Sequence, residues 1–172
     1  MSYLKDYDKY IEVERRVPRL KIEQTNIYRI STYRDRNDKV QRRSNGDNSS
    51  LIFVIGIHES RVNCLKLNEI PTDVFFKFLK RMVVPTVKLE TIESLHEGLV
   101  NSDRSGKRIF EKYVKPNKTI YNPKYNAYRS YNVDGLTYVQ EVFLKPETLV
   151  KKLGIKSDVS EMIDEIEGEI NE

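Results

Sequence analysis

The chain has no tryptophan, one cysteine, two histidines and seven glycines that stand singly along its 172 residues. A lone thiol, Cys64, excludes an internal disulfide and any structural zinc site built from several thiolates, and it fits a reducing compartment. Both histidines precede a glutamate, as His58-Glu59 and His96-Glu97. Neither has the second histidine four residues on that would bring two imidazoles to one helical face, so both are expected as solvated surface residues. With so few histidines Cys64 has little prospect of a catalytic base, and between Asn63 and Leu65 it reads as a small buried side chain. The glycines, at 46, 56, 98, 106, 135, 154 and 168, match no phosphate-binding fingerprint. No apolar stretch approaches the 18 residues of a membrane span, and the opening Met1-Ser2-Tyr3-Leu4-Lys5-Asp6 lacks the basic start and apolar run of a signal peptide. The expectation is a soluble, non-enzymatic protein made in the cytoplasm, with no metal, cofactor, small-molecule substrate or membrane partner.

What the chain has in quantity is charge, unevenly placed. Charged residues make up 33% of it, and the mean hydropathy is −0.61. All 30 Lys and Arg lie at or before Lys156, against 19 Asp and Glu. The last sixteen residues hold no base and seven acids, from Asp158 to Glu172. A basic body with an acidic end implies contact with a charged polymer or with other copies of the chain, because a field of one sign concentrates and steers opposite charge. The carboxylates of the tail repel one another in solvent, which suits a structural or solubilising role better than acid–base chemistry.

Residues 1–20 mix charge with Tyr3, Tyr7 and Tyr10, stop near Pro18, and hold few aliphatics; they read as an N-terminal arm whose aromatics seek a surface. Residues 26–36 are rich in β-formers and read as a half-buried strand. The polar stretch that follows, basic at Lys39, Arg42 and Arg43, reads as a long loop. The run Leu51, Ile52, Phe53, Val54, Ile55 is short enough for a buried strand, and with 62–68 it suggests a hairpin. Pro71 suits the first turn of a helix whose Val74, Phe75, Phe78, Leu79 and Met82 share one stripe. Two shorter helices are expected at 90–100 and 107–114, within an insertion spanning 88–115. Residues 121–131 carry four tyrosines and lead through the turn Asn132-Val133-Asp134-Gly135 into the strand 136–144, a second hairpin. A helix follows from Pro146 to Gly154. From Ser157 the acidic end sets Val159, Ile163, Ile166 and Ile170 on one helical stripe, an amphipathic segment over 156–172 that needs a partner.

Tyr121, Lys124, Tyr125, Tyr128, Arg129 and Tyr131 interleave bases and aromatics, a mixture that stacks on nucleobases and neutralises phosphates. The same residue types anchor protein interfaces. Lys39, Arg42, Arg43, Arg104, Lys107 and Arg108 read equally as a solvated face.

The order of these pieces carries a resemblance. A Tyr28-Arg29 strand, a polar loop, the apolar strand 51–55, the strand ending Leu65-Lys66-Leu67-Asn68, and a Pro71-led helix with Phe75, Phe76 and Phe78 resemble small structural proteins of contractile-tailed bacteriophages. Those proteins look like SH3-type barrels with helical insertions and an added strand, whose place is taken here by 128–144. The likeness covers about residues 26–150. It implies a virion component in the neck, tail, baseplate or capsid interior, and it supplies no catalytic residues.

Together these readings give an α+β domain at 21–155: a small bent antiparallel sheet or SH3-like barrel from 26–36, 51–57, 62–68 and 136–144, with helices outside, an arm before it and an acidic helix after it. The expected interface residues are Tyr3, Tyr7, Tyr10, Tyr121, Tyr125, Tyr128, Tyr131, Val159, Ile163, Ile166 and Ile170, set against other virion proteins in a symmetric assembly. The alternative is an accessory protein of phage DNA replication or packaging that touches nucleic acid through Arg42, Arg43, Lys124 and Arg129.

Overall fold

A computed structural model describes residues 2–32, 49–83, 106–122, 124 and 126–154. The expected helix at 90–100, the basic loop with Arg42 and Arg43, Tyr125, and the acidic stripe of Val159, Ile163, Ile166 and Ile170 lie outside the described residues.

The centre of the molecule is the apolar run, which forms β3 (Ser50–His58) and is buried from residue 50 to 56. A strand buried on both sides needs neighbours on both edges and cover on both faces. β2 (Ile27–Thr32) and β4 (Arg61–Lys66) pair with it antiparallel. The β3–β4 turn is two residues long, and Glu59 at φ 55° takes the left-handed conformation that such a tight hairpin demands. β5 (Tyr128–Asn132) joins β4. β6 (Leu136–Leu144) joins the far side of β2, and β1 (Ile11–Arg16) joins β6. Among the described residues the result is an α+β fold: a six-stranded antiparallel open sheet in the order β1-β6-β2-β3-β4-β5, with four helices.

That order forces curvature. β5 is an edge strand and β6 lies four strand positions away, yet only the short 3₁₀ turn Val133–Gly135 joins them. Four spacings across a flat sheet come to about 19 Å, whereas four Cα steps reach at most about 14 Å. The sheet therefore curls, and its concave face holds a core of its own: Tyr28, Ile30, Ile52, Val54, Val62, Cys64, Leu136 and Val139, with Ile22 from the segment after β1. The expected second hairpin is thus corrected. β5 pairs with β4, and β6 with β1 and β2; the turn at 133–135 crosses the mouth of the curl instead of folding one strand back on the other.

On the convex face lie α1 (Leu4–Asp8), α2 (Thr72–Val83), α3 (Gly106–Ile109, continuing as a π-helical turn over Phe110–Val114) and α4 (Pro146–Leu153). α2 follows the predicted stripe, presenting Phe75, Phe76, Phe78, Leu79, Met82 and Val83 to Leu51, Phe53, Ile55 and Leu65 of the sheet. Phe53 meets Phe75 and Phe78 edge to face at 5.4 and 6.1 Å. Fully burying side chains of this size is worth about 1.5–3 kcal/mol each, so this layer is the main source of stability. α4 ends at Gly154, whose φ of 68° supplies the left-handed cap. α3 reaches β3 closely because Gly56 and Gly106 face each other: a Cβ built on Gly56 would lie 2.9 Å from the Gly106 Cα.

The described part of the expected arm packs on this sheet through α1 and β1. β1 adds to the β6 edge by backbone hydrogen bonds, which any side chains can make, and Tyr7 fills the hole under Ile70 that aliphatics would otherwise fill.

Candidate interaction surfaces

Among the described residues, no group of three or more His, Cys, Asp or Glu converges as metal ligands would. Cys64 is fully buried in the concave core, and burial pushes its thiol up to about 12, against minor opposing pulls from Arg129 and Lys66. Enclosed on all sides, it packs there as a small apolar side chain. His58 stands in solvent at the end of β3, 3.9 Å from the Glu59 carboxylate.

Most of the described tyrosines expected to seek partners make contacts within the chain. Tyr7 is buried, its hydroxyl donates to the Ile70 carbonyl at 2.6 Å, and burial, with a smaller push from Asp6, raises its pKa. It offers nothing to another molecule. Tyr10 is half-buried edge-on to Phe76 at 5.8 Å, with the Lys152 ammonium 5.5 Å above it; Tyr3 packs against the same core and its N–H donates to the Asn68 carbonyl at 2.7 Å. Tyr121 and Tyr128 sandwich Phe110 at 5.2 and 4.7 Å, so half of the aromatic strip fastens the π-helical turn to β5. Tyr131 borders the concave core. Arg129 is likewise engaged at home, with Glu69 at 2.8 Å and the carbonyls of Asn126 and Tyr128, whereas Lys124 is exposed. Of the expected nucleic-acid group, Arg129 is thus paired within the chain and Lys124 is exposed, while Arg42 and Arg43 lie outside the described residues.

Two surfaces that the sequence reading missed do gather. The first is the β1–β6 edge. Register places Val13 opposite Phe143, and they remain 51% and 38% exposed. The Arg15 guanidinium lies 5.5 Å over the Phe143 ring, and Arg16 lies 5.1 Å over Tyr138, itself 36% exposed. Just beyond, a cleft of about 420 Å³ opens between residues 16–19 and 136–139, with Val17, Pro18 and Leu136 in its wall, and Leu20 next to it is 81% exposed. This edge is braced by Arg29, which hydrogen-bonds Glu14 of β1 and Asp8 of α1, the latter at 2.8 Å. Desolvation lowers the Arg29 pKa, but these two carboxylates outweigh it and the net shift is upward. The alternation of Ile11 and Val13 in an otherwise charged segment was the available signal; only the strand register puts Val13 beside Phe143.

The second is the outer face of the helices. The segments 72–83, 106–118 and 145–153 carry eleven bases and three acids, all exposed. The remaining described residues carry eleven bases and nine acids. The surplus of the described body thus sits almost wholly on the convex side, because each helix spends its apolar stripe on the sheet and turns Lys77, Lys80 and Arg81, Lys107 and Lys112, or Lys151 and Lys152 outward.

Comparison of the chain with protein-family models, with curated proteins and with solved structures finds no match.

Proposed function

We propose that this protein is a non-enzymatic structural subunit of a bacteriophage virion, in the neck, tail, baseplate or capsid interior, and that it works by binding neighbouring proteins. The observation that carries the binding role is the exposed Val13–Phe143 pair on an open strand edge, near a cleft whose wall mixes Val17, Pro18 and Leu136 with Arg16 and Arg19. An unpaired edge invites a partner strand, and apolar side chains beside it reward one that matches. Glu12, Glu14, Arg15 and Arg16 along the same strand penalise partners of the wrong charge pattern, which favours a defined neighbour over indiscriminate pairing.

The virion assignment rests on the resemblance in the order of elements, and the strand order is in keeping with it. What supports it is the run β6-β2-β3-β4-β5 with only a short 3₁₀ turn between β5 and β6, which is the connectivity expected if the sheet is read as an SH3-like barrel with the long insertion between β4 and β5 and β1 as the added strand. The interface then comprises Val13 and Phe143 on one face of the edge and Tyr138 on the other, in place of the buried Tyr7, together with the acidic segment carrying Val159, Ile163, Ile166 and Ile170. A symmetric assembly in the particle would give each copy the same neighbour at this edge.

Mass spectrometry of purified particles should find the chain at a fixed ratio to the major tail or capsid proteins. Val13→Asp with Phe143→Ser should leave the fold intact and abolish incorporation. Particles that lack the chain, or that incorporate the double variant normally, would remove this reading.

A further inference from the structure

We propose that the convex helical layer is a second, independent binding surface, and that it takes the phosphate backbone of duplex nucleic acid without regard to sequence. Eleven exposed bases stand there against three acids, whereas the rest of the described surface is nearly balanced. The residue types separate this from a protein interface. Nine of the eleven bases are lysines, a residue depleted where proteins bind proteins. The large exposed apolar side chains of the described residues, Val13, Leu20, Ile57, Tyr138 and Phe143, all lie elsewhere, so the layer offers charge without the apolar anchors that hold a protein partner. Distributed lysine charge with no aromatic platform suits a duplex backbone, where neutralised phosphates release counterions.

The geometry is adequate for it. α2 has twelve residues and carries Lys77, Lys80 and Arg81 on its outer stripe. A helix of that length runs for about 18 Å, along which duplex DNA presents about ten phosphates. α4 and the π-helical end of α3 pack beside α2, extending the charged face to both sides: Lys152 of α4 lies 3.5 Å from Asp73, and Phe78 meets Tyr113 at 6.4 Å. This surface is distinct from the Arg42, Arg43, Lys124 and Arg129 group, and it does not depend on the β1–β6 edge.

The test is fluorescence anisotropy of a labelled 20-base-pair DNA duplex of mixed sequence, titrated with the full chain from 50 to 300 mM NaCl. Binding should fall steeply and linearly on a log–log salt plot. Lys77→Glu with Lys80→Glu and Arg81→Glu should weaken it about tenfold or more and flatten the slope by about 2–3. Lys77→Arg with Lys80→Arg should bind as the natural chain does. If the α2 variant loses its far-ultraviolet circular dichroism, Lys107→Glu with Lys118→Glu asks the same question from the neighbouring segment. No binding at 50 mM salt overturns the proposal, as does binding that survives both charge reversals. Binding that appears only when the seven acids of 157–172 are changed to their amides also overturns it, and names that acidic segment as the occupant of the layer. The particle-incorporation experiment reads Val13 and Phe143 of the β1–β6 edge, so the two proposals fail separately.

Discussion

Tyr7 shows how one side chain can turn a segment that looks detachable into part of a fold. Its ring meets Phe75 edge to face at 6.0 Å, and its hydroxyl supplies the donor that the buried Ile70 carbonyl needs. Tyr7→Phe keeps the ring and orphans that carbonyl, so unfolding should become easier by about 1–2 kcal/mol in a urea titration; an unchanged midpoint would mean that water replaces the hydroxyl. The same group predicts an alkaline weakness. Burial raises Tyr7 and Tyr28 above the ordinary tyrosine value of 10.0, so the folded chain holds their protons while the unfolded chain releases them. Their contribution is fully present below pH 10 and is lost as pH rises further, by up to about 1.4 kcal/mol per pH unit for each tyrosine. Stability measured between pH 9 and 12 should fall, and the fall should be shallower by one proton in Tyr7→Phe.

Among the elements, the joint between β3 and α3 has the least tolerance. Backbone meets backbone at Gly56 and Gly106, and neither can retreat: β3 is pinned between β2 and β4, and α3 is held through Ile109 in the convex core. Gly56→Ala should therefore cost about 1–3 kcal/mol, read as a lower melting temperature. Gly135→Ala is the control, since no atom lies within 4 Å of its added Cβ and its φ is not positive; it should leave stability close to unchanged. α2, by contrast, is conventional, an amphipathic helix started after a proline, and its position and buried stripe were legible because helix period and core-facing side coincide.

For the whole molecule, the consequence of the strand order is that the first and last described parts of the chain depend on each other. β1 covers the edge of β6, the Lys145 N–H donates to the Tyr10 carbonyl at 2.8 Å, and Lys152 of α4 reaches the Tyr10 ring. Deleting residues 2–17 should cost more than about 3 kcal/mol, as the loss of one buried large aromatic side chain does by itself. Thermal denaturation of the truncated chain reads this, and an unchanged melting temperature would restore the segment to the status of an appended arm.

The sequence by itself determined the central strand, the β3–β4 hairpin, α2, α4 and the buried state of Cys64, because each is written in local periodicity, in turn residues or in the side chain's own chemistry. Tertiary structure decided that β1 is a strand, since backbone pairing along β6 asks little of the side chains and leaves only the short alternation of Ile11 and Val13 in Ile11–Arg16. It decided that β5 and β6 part company, since a short turn reads alike whether the chain folds back or crosses a curled sheet. The candidate surfaces were hidden for the same reason. Tyr7, Tyr121 and Tyr128 are aromatic enough to bind a partner, but which side of an aromatic faces solvent is set by contacts distant in the chain. Val13 beside Phe143, and the lysines of three separate helices on one face, become neighbours only through strand register and helix packing.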